Sequence, residues 1–146
     1  MIFLAGDGAD DIGIQNGGWS IEWQGTTGTN STTGTTIKEA FEDAAGPDTR
    51  VVYNQGGRFD VVRDDDGNPV IADVGVVVVG ERPYAEWFGD DPLLRIPRSD
   101  RLVLERVAAQ SEKLIVIVLS GRPLILDDLL TEADAVVAAW LPGTEG

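Results

Sequence analysis

Apolar positions along the chain fall into runs of two kinds. Val74-Gly-Val-Val-Val-Val79 and Leu114-Ile-Val-Ile-Val-Leu119 are continuous and rich in β-branched residues. Runs of this length without polar alternation predict strands buried on both faces. Ile2–Ala5 predicts a first strand, 50–53 a short one and 133–140 the last, so that the chain stops in a loop just after a buried strand pattern. Helical signals lie between them. Thr36-Ile-Lys-Glu39 is a capping box, with Thr36 as N-cap and Glu39 at N3, and the helix it opens ends near Ala45, before Gly46-Pro47. Ser99 is the expected N-cap of a second helix over 100–110, with Leu102, Val103, Val107 and Gln110 along one side. A short acidic helix or turn is expected over 127–132, and 59–72 divides into two extended pieces around an Asp-Gly-Asn turn. Strands alternating with helices predict an α/β fold: a three-layer sandwich with a mostly parallel, flavodoxin-like sheet. No repeat or linker divides it, so it reads as one domain, 1–146.

The segment after the central strand, Gly80-Glu-Arg-Pro-Tyr-Ala-Glu-Trp-Phe-Gly-Asp90, is then a loop at the carboxyl end of a parallel strand, where ligands of open α/β sheets sit. It gathers Glu81, Glu86, Asp90 and Asp91 with Tyr84, Trp87 and Phe88. A carboxylate desolvated beside aromatic rings suits a general acid; a merely solvated surface loop is the other reading. Glu81, next to the strand, is placed to orient neighbours such as Arg82, whereas Glu86, beyond Pro83, projects outward. Gly17-Gly-Trp-Ser-Ile-Glu-Trp-Gln-Gly25 is the second informative loop. Trp19 and Trp23 share a side on either a helix or a strand, as a flat aromatic platform for a sugar ring or as core packing.

Composition narrows the chemistry. A net charge of −14 disfavours nucleic acid and anionic membranes as partners. No Cys and no His are present, which excludes thiolate chemistry, imidazole shuttles and Ser-His-Asp triads and leaves carboxylates, Tyr or Lys for acid–base work. Gly6-Asp-Gly-Ala-Asp-Asp11 has the start of a dinucleotide turn, but Asp11 stands where the third Gly belongs and its aspartates repel a pyrophosphate. Asp64-Asp65-Asp66 lacks the spacing and closing Glu of a calcium loop and reads as a solvated turn. Neither a cofactor nor a metal is expected. No apolar run reaches the length of a membrane span, and 1–5 is too short for a signal peptide.

These stretches together resemble the second domain of glycoside hydrolase family 3, the β-glucosidase and exo-β-glucanase group. The resemblance rests on Gly17-Gly-Trp-Ser-Ile-Glu-Trp-Gln-Gly25, Val79-Gly-Glu-Arg-Pro-Tyr-Ala-Glu86, Gly89-Asp90, Leu119-Ser-Gly-Arg-Pro-Leu124 and 138–146, in the family's order along almost the whole chain. It implies a retaining, exo-acting β-glucosidase or β-glucan glucohydrolase. Glu86 maps to its general acid/base, Trp19 and Trp23 to its sugar-binding clamp, and Glu81, Arg82 and Tyr84 to the supporting loop. The implied partners are the non-reducing end of a β-glucan or β-glucoside and a (β/α)8 barrel that carries the Asp nucleophile. It also implies a periplasmic or secreted enzyme. Both ends read as cut and no barrel is visible, so the expectation is a domain fragment that is inactive alone. A non-catalytic glucan-binding module and a flavodoxin-like domain of another function are the alternatives.

Overall fold

The computed structural model describes residues 1–126 and 129–146. Among the described residues five strands form one sheet: β1 (Ile2–Ala5), β2 (Val51–Tyr53), β3 (Val74–Gly80), β4 (Leu114–Leu119) and β5 (Ala135–Trp140). Their order is β2-β1-β3-β4-β5 and all four pairings are parallel. This is the flavodoxin-like order, with the two sequence-adjacent halves parting between β1 and β3. The helices are α1 (Ile12–Asn16), α2 (Ile37–Ala44), α3 (Arg98–Ala108) and α4 (Leu129–Glu132).

The alternation of side chains along each strand divides the core into two layers. Phe3, Ala5, Val77, Val79, Val116 and Val118 pack with Leu104 and Val107 of α3. Leu4, Val76 and Val78 pack with Ile14 of α1 and Ile37 of α2 on the opposite face. The three-layer sandwich is thus present, and each fully buried apolar side chain in it contributes about 1.5–3 kcal/mol. Phe59 stacks on Phe3 with ring centroids 4.1 Å apart, which anchors the long connection between β2 and β3. The capping box is formed as expected: Thr36 Oγ1 accepts from Glu39 N–H at 3.2 Å, and Glu39 Oε2 accepts from Thr36 N–H at 2.8 Å.

Several expectations need correction. α3 starts and ends two residues early, with Pro97 rather than Ser99 as its N-cap; Ser99 Oγ donates to Asp100 Oδ1 instead of capping the backbone. Leu104 and Val107 are its buried residues, with Val103 partly buried beside them, while Leu102 faces outward. β5 is not a buried strand. Among the described residues it pairs with β4 alone, and Val137 and Trp140 are about half exposed. It begins at Ala135 because the Asp134 carboxylate accepts from Leu114 N–H at 2.8 Å and Lys113 Nζ at 2.8 Å.

Around 64–68 the two extended pieces shrink to a single antiparallel bridge, Arg63 to Pro69. The Asp64 carboxylate, with Asn68 as its main partner, accepts from Asn68 and Asp66 N–H groups, which holds it below the usual carboxylate range. The acidic turn expected over 127–132 lies partly outside the described residues; Leu129–Glu132 is helical. Residues 12–16, which carry no strong sequence signal, form α1 because the Asp11 carboxylate accepts from Ile14 N–H. No helix among the described residues is long and apolar enough to cross a membrane.

Candidate functional site

β3 delivers the chain to the carboxyl edge of the sheet at Gly80. Here a Cβ would lie 1.8 Å from the Leu119 carbonyl oxygen, so the exit from the strand runs directly against the β4 backbone. Glu81 follows, its N–H donating to the same carbonyl at 3.0 Å. Both its carboxylate oxygens are engaged. Oε2 accepts from the Tyr84 hydroxyl at 3.0 Å, and Oε1 accepts from Arg122 Nε at 2.9 Å and Nη2 at 2.6 Å. The guanidinium also lies 4.6 Å from the centre of the Tyr84 ring. Burial, reinforced by Glu81, pushes the Tyr84 hydroxyl up to about 12, which keeps it a donor. Desolvation is the largest single influence on Arg122 and lowers it, but the Glu81 carboxylate outweighs this and holds the guanidinium above its ordinary value.

This arrangement keeps Glu81 as an orienting residue but corrects the partner expected for it. It orients Arg122 and Tyr84, not Arg82, which is mostly exposed and pairs with Asp7 at 3.6 Å. Arg122 comes from the connection after β4, 41 positions away in the chain. In the sequence it lies in Ser120-Gly-Arg-Pro123, which reads locally as a tight turn and forms part of a stretch that carries the family resemblance, but neither reading pairs it with Glu81.

The 17–25 loop packs against the 80–91 loop. Ala85 N–H donates to Gln24 Oε1 at 2.9 Å, a contact between residues 61 apart that sequence reading missed. The 17–25 loop is neither helix nor strand: Trp19 N–H donates to the Trp23 carbonyl at 3.0 Å, closing a tight turn. Trp19 and Trp23 do lie side by side, with centroids 6.3 Å apart, but tilted by 59° rather than flat. Trp23 meets Trp87 edge-on at 5.6 Å and Phe88 at 6.3 Å. Core packing is excluded for all of these rings, since Trp19, Trp23, Trp87 and Phe88 are 68%, 44%, 63% and 68% exposed. A contiguous exposed aromatic patch of this kind marks an interaction site.

Glu86 sits between these contacts. Ala85 before it is tied to Gln24, and Trp87 after it leans on Trp23. It opens a 3-10 turn, Glu86–Gly89, with φ 49°, and Trp19 and Ile21 share the left-handed region at φ 61° and 70°. Non-glycine residues held there are strained and concentrate at ligand sites. The desolvated setting expected for Glu86 is absent: its side chain is exposed in this chain. A cavity of about 170 Å³ opens beside the loop root, lined by Gly17, Trp19, Glu81, Tyr84, Gly121 and Leu141 among others. Among the described residues no group of three or more Asp or Glu is arranged to hold a metal ion. The arrangement thus presents the Glu86 carboxylate outward beside four exposed aromatic rings.

The whole chain, residues 1–146, matches the model of the glycosyl hydrolase family 3 C-terminal domain. The chain belongs to this family. It is 35% identical to a lysosomal β-glucosidase of Dictyostelium discoideum, over 99% of this chain and 19% of that protein. It is 37% identical to a periplasmic β-glucosidase of Salmonella typhimurium, over 51% of this chain and 10% of that protein. The exo-1,3/1,4-β-glucanase of a Pseudoalteromonas species superposes with a TM-score of 0.78 at 38% identity, covering 99% of this chain and 18% of that one. A β-glucosidase of Listeria innocua shares the fold at a TM-score of 0.70 and 21% identity. The family 3 C-terminal domain seen here thus spans about a fifth of the length of such relatives.

Proposed function

We propose that this domain supplies the general acid/base and part of the sugar-binding surface of a retaining, exo-acting β-glucosidase or β-glucan glucohydrolase. One observation carries the proposal: Glu86 stands exposed at the carboxyl end of the central strand, flanked by the contacts that join its loop to the Trp19–Trp23 turn. In this reading Glu86 protonates the departing glycosidic oxygen and later takes a proton from water. Trp19 and Trp23 hold the sugar beyond the scissile bond, and Trp87 and Phe88 extend that surface. Retention requires a second carboxylate about 5–5.5 Å away as nucleophile. That carboxylate is an Asp of a (β/α)8 barrel facing this loop, which also removes Glu86 from bulk water. The substrate is the non-reducing end of a β-glucan or a β-glucoside. The periplasmic and lysosomal locations of two relatives support action outside the cytosol.

A general acid alone accounts for about 10²–10⁴-fold of rate, far below a whole enzyme. The chain by itself is therefore inactive on an aryl β-glucoside, and joined to the barrel it turns the substrate over. Robust turnover by the purified chain, or none by a folded barrel-bearing enzyme, contradicts the proposal.

A further inference from the structure

Arg122 bridges both ends of the loop that carries Glu86. Nε and Nη2 donate to Glu81, five residues before Glu86, and Nη1 donates to the carbonyl of Gly89, three residues after it. Tyr84 fills the space between. Its ring lies under the guanidinium, its hydroxyl donates to the remaining Glu81 oxygen, and Gly89 sits so close that an added Cβ would meet Tyr84 Cδ2 at 2.1 Å. The two carboxylate oxygens, three of the five guanidinium N–H groups and one backbone carbonyl thereby form one closed set. Arginine–carboxylate pairs held through two N–H groups fix geometry as well as charge.

The clamp has something to hold. Glu86 opens the 3-10 turn at φ 49°, a conformation that a non-glycine residue keeps only when its surroundings impose it. Neither Glu86 nor Trp87 nor Phe88 is buried, so core packing does not fix the turn. The constraint comes from its two ends: Ala85 bonded to Gln24 on one side and Gly89 bonded to Arg122 on the other.

We infer that Arg122 is a positioning residue for the reaction, holding the Glu86 turn in the conformation that directs its carboxylate at the leaving oxygen. The inference rests on the acid/base reading of Glu86. A misdirected acid harms substrates in proportion to their need for protonation, so the signature of lost positioning is a bias by leaving group and not a uniform loss.

The test uses the barrel-bearing enzyme and kcat/KM, which reports formation of the glycosyl-enzyme. Arg122→Ala, Arg122→Lys, Glu86→Gln and the Arg122→Ala/Glu86→Gln double variant are compared on an activated dinitrophenyl β-glucoside and on an alkyl β-glucoside, with thermal melts to establish folding. Arg122→Ala is expected to lose roughly ten- to a hundredfold on the alkyl glucoside, within the span of general-acid catalysis, and less than about threefold on the activated one. Arg122→Lys keeps the charge but not the fork, so it shows the same bias with a smaller loss; it carries the test if the Ala variant fails to fold. The double variant is no worse on the alkyl glucoside than Glu86→Gln, because a misplaced acid and an absent one are equivalent. An equal loss on both substrates, or full additivity in the double variant, overturns the positioning role while Glu86→Gln keeps its own bias. If Glu86→Gln itself shows no bias, the acid/base reading fails and the inference with it.

Discussion

The root and the tip of the 80–91 loop make opposite use of the same residue types. At the root, Glu81 and Tyr84 are locked to Arg122 and to each other, and Gly80 is pressed against the β4 backbone. At the tip, Glu86, Trp87 and Phe88 are exposed, and the chain takes a left-handed conformation at Glu86. Two glutamates five residues apart thus differ in every respect that matters to chemistry. One has both carboxylate oxygens committed to donors within the fold, and the other presents its carboxylate outward. In the proposed reading, rigidity at the root makes the exposed tip usable, since an acid on an untethered loop would not hold a reactive geometry.

The largest expected effect comes from breaking the root. Gly80→Ala places a Cβ 1.8 Å from the Leu119 carbonyl, where only backbone can yield. A loss of about 4 kcal/mol or more is expected, at the far end of the single-substitution range, and chemical denaturation measures it. A wild-type midpoint would mean that β3 and β4 separate easily at this edge.

The tip should be far more tolerant. Trp19→Ala and Trp23→Ala each lose roughly 1 kcal/mol, against about 3–5 kcal/mol for a buried Trp, because their rings are largely exposed. Their cost appears instead in the barrel-bearing enzyme, as a raised KM for a glucan oligosaccharide with melting temperature nearly unchanged. Collapse of both variants in a thermal melt would return these rings to a structural role.

The strands and α2 were legible because β-branched runs and a capping box are local signals: β4 and the Thr36–Glu39 box stand where the sequence predicts them, whereas α1 carries no such signal. The Trp19–Trp23 turn and the 80–91 loop were legible as composition, not as geometry. The tilt of the indoles depends on Trp23 meeting Trp87 and Phe88 from another loop. Arg122 was missed as a partner of Glu81 because 41 positions separate them and nothing local distinguishes it from a turn residue. The exposure of β5 followed no local rule either, since its apolar composition matches that of a buried strand while its burial is set by what packs on it.

A smaller effect is expected behind the root. Asp100 is half-buried and accepts from Gly80 N–H at 3.2 Å, and burial, the leading cause, raises its pKa above the ordinary value. A carboxyl raised on folding stabilises fully only below its unfolded value near 3.8, and that stability is lost as pH climbs through the folded value. Asp100→Asn keeps an acceptor for Gly80 and removes the charge. It should therefore raise the melting temperature modestly at pH 7, with the gain fading as pH falls toward 3.8 and below. A gain that is independent of pH would point to packing rather than charge.

The most direct test of the account sets Glu86→Gln against Glu81→Gln in the barrel-bearing enzyme, with azide as an external nucleophile. Glu86→Gln should form its glycosyl-enzyme readily from an activated aryl glucoside and then stall. Azide, which needs no general base, should speed its turnover and yield a β-glucosyl azide. Glu81→Gln should gain nothing from azide. Azide rescue of Glu81→Gln, with Glu86→Gln hydrolysing every substrate at the wild-type rate, would reverse the roles of root and tip.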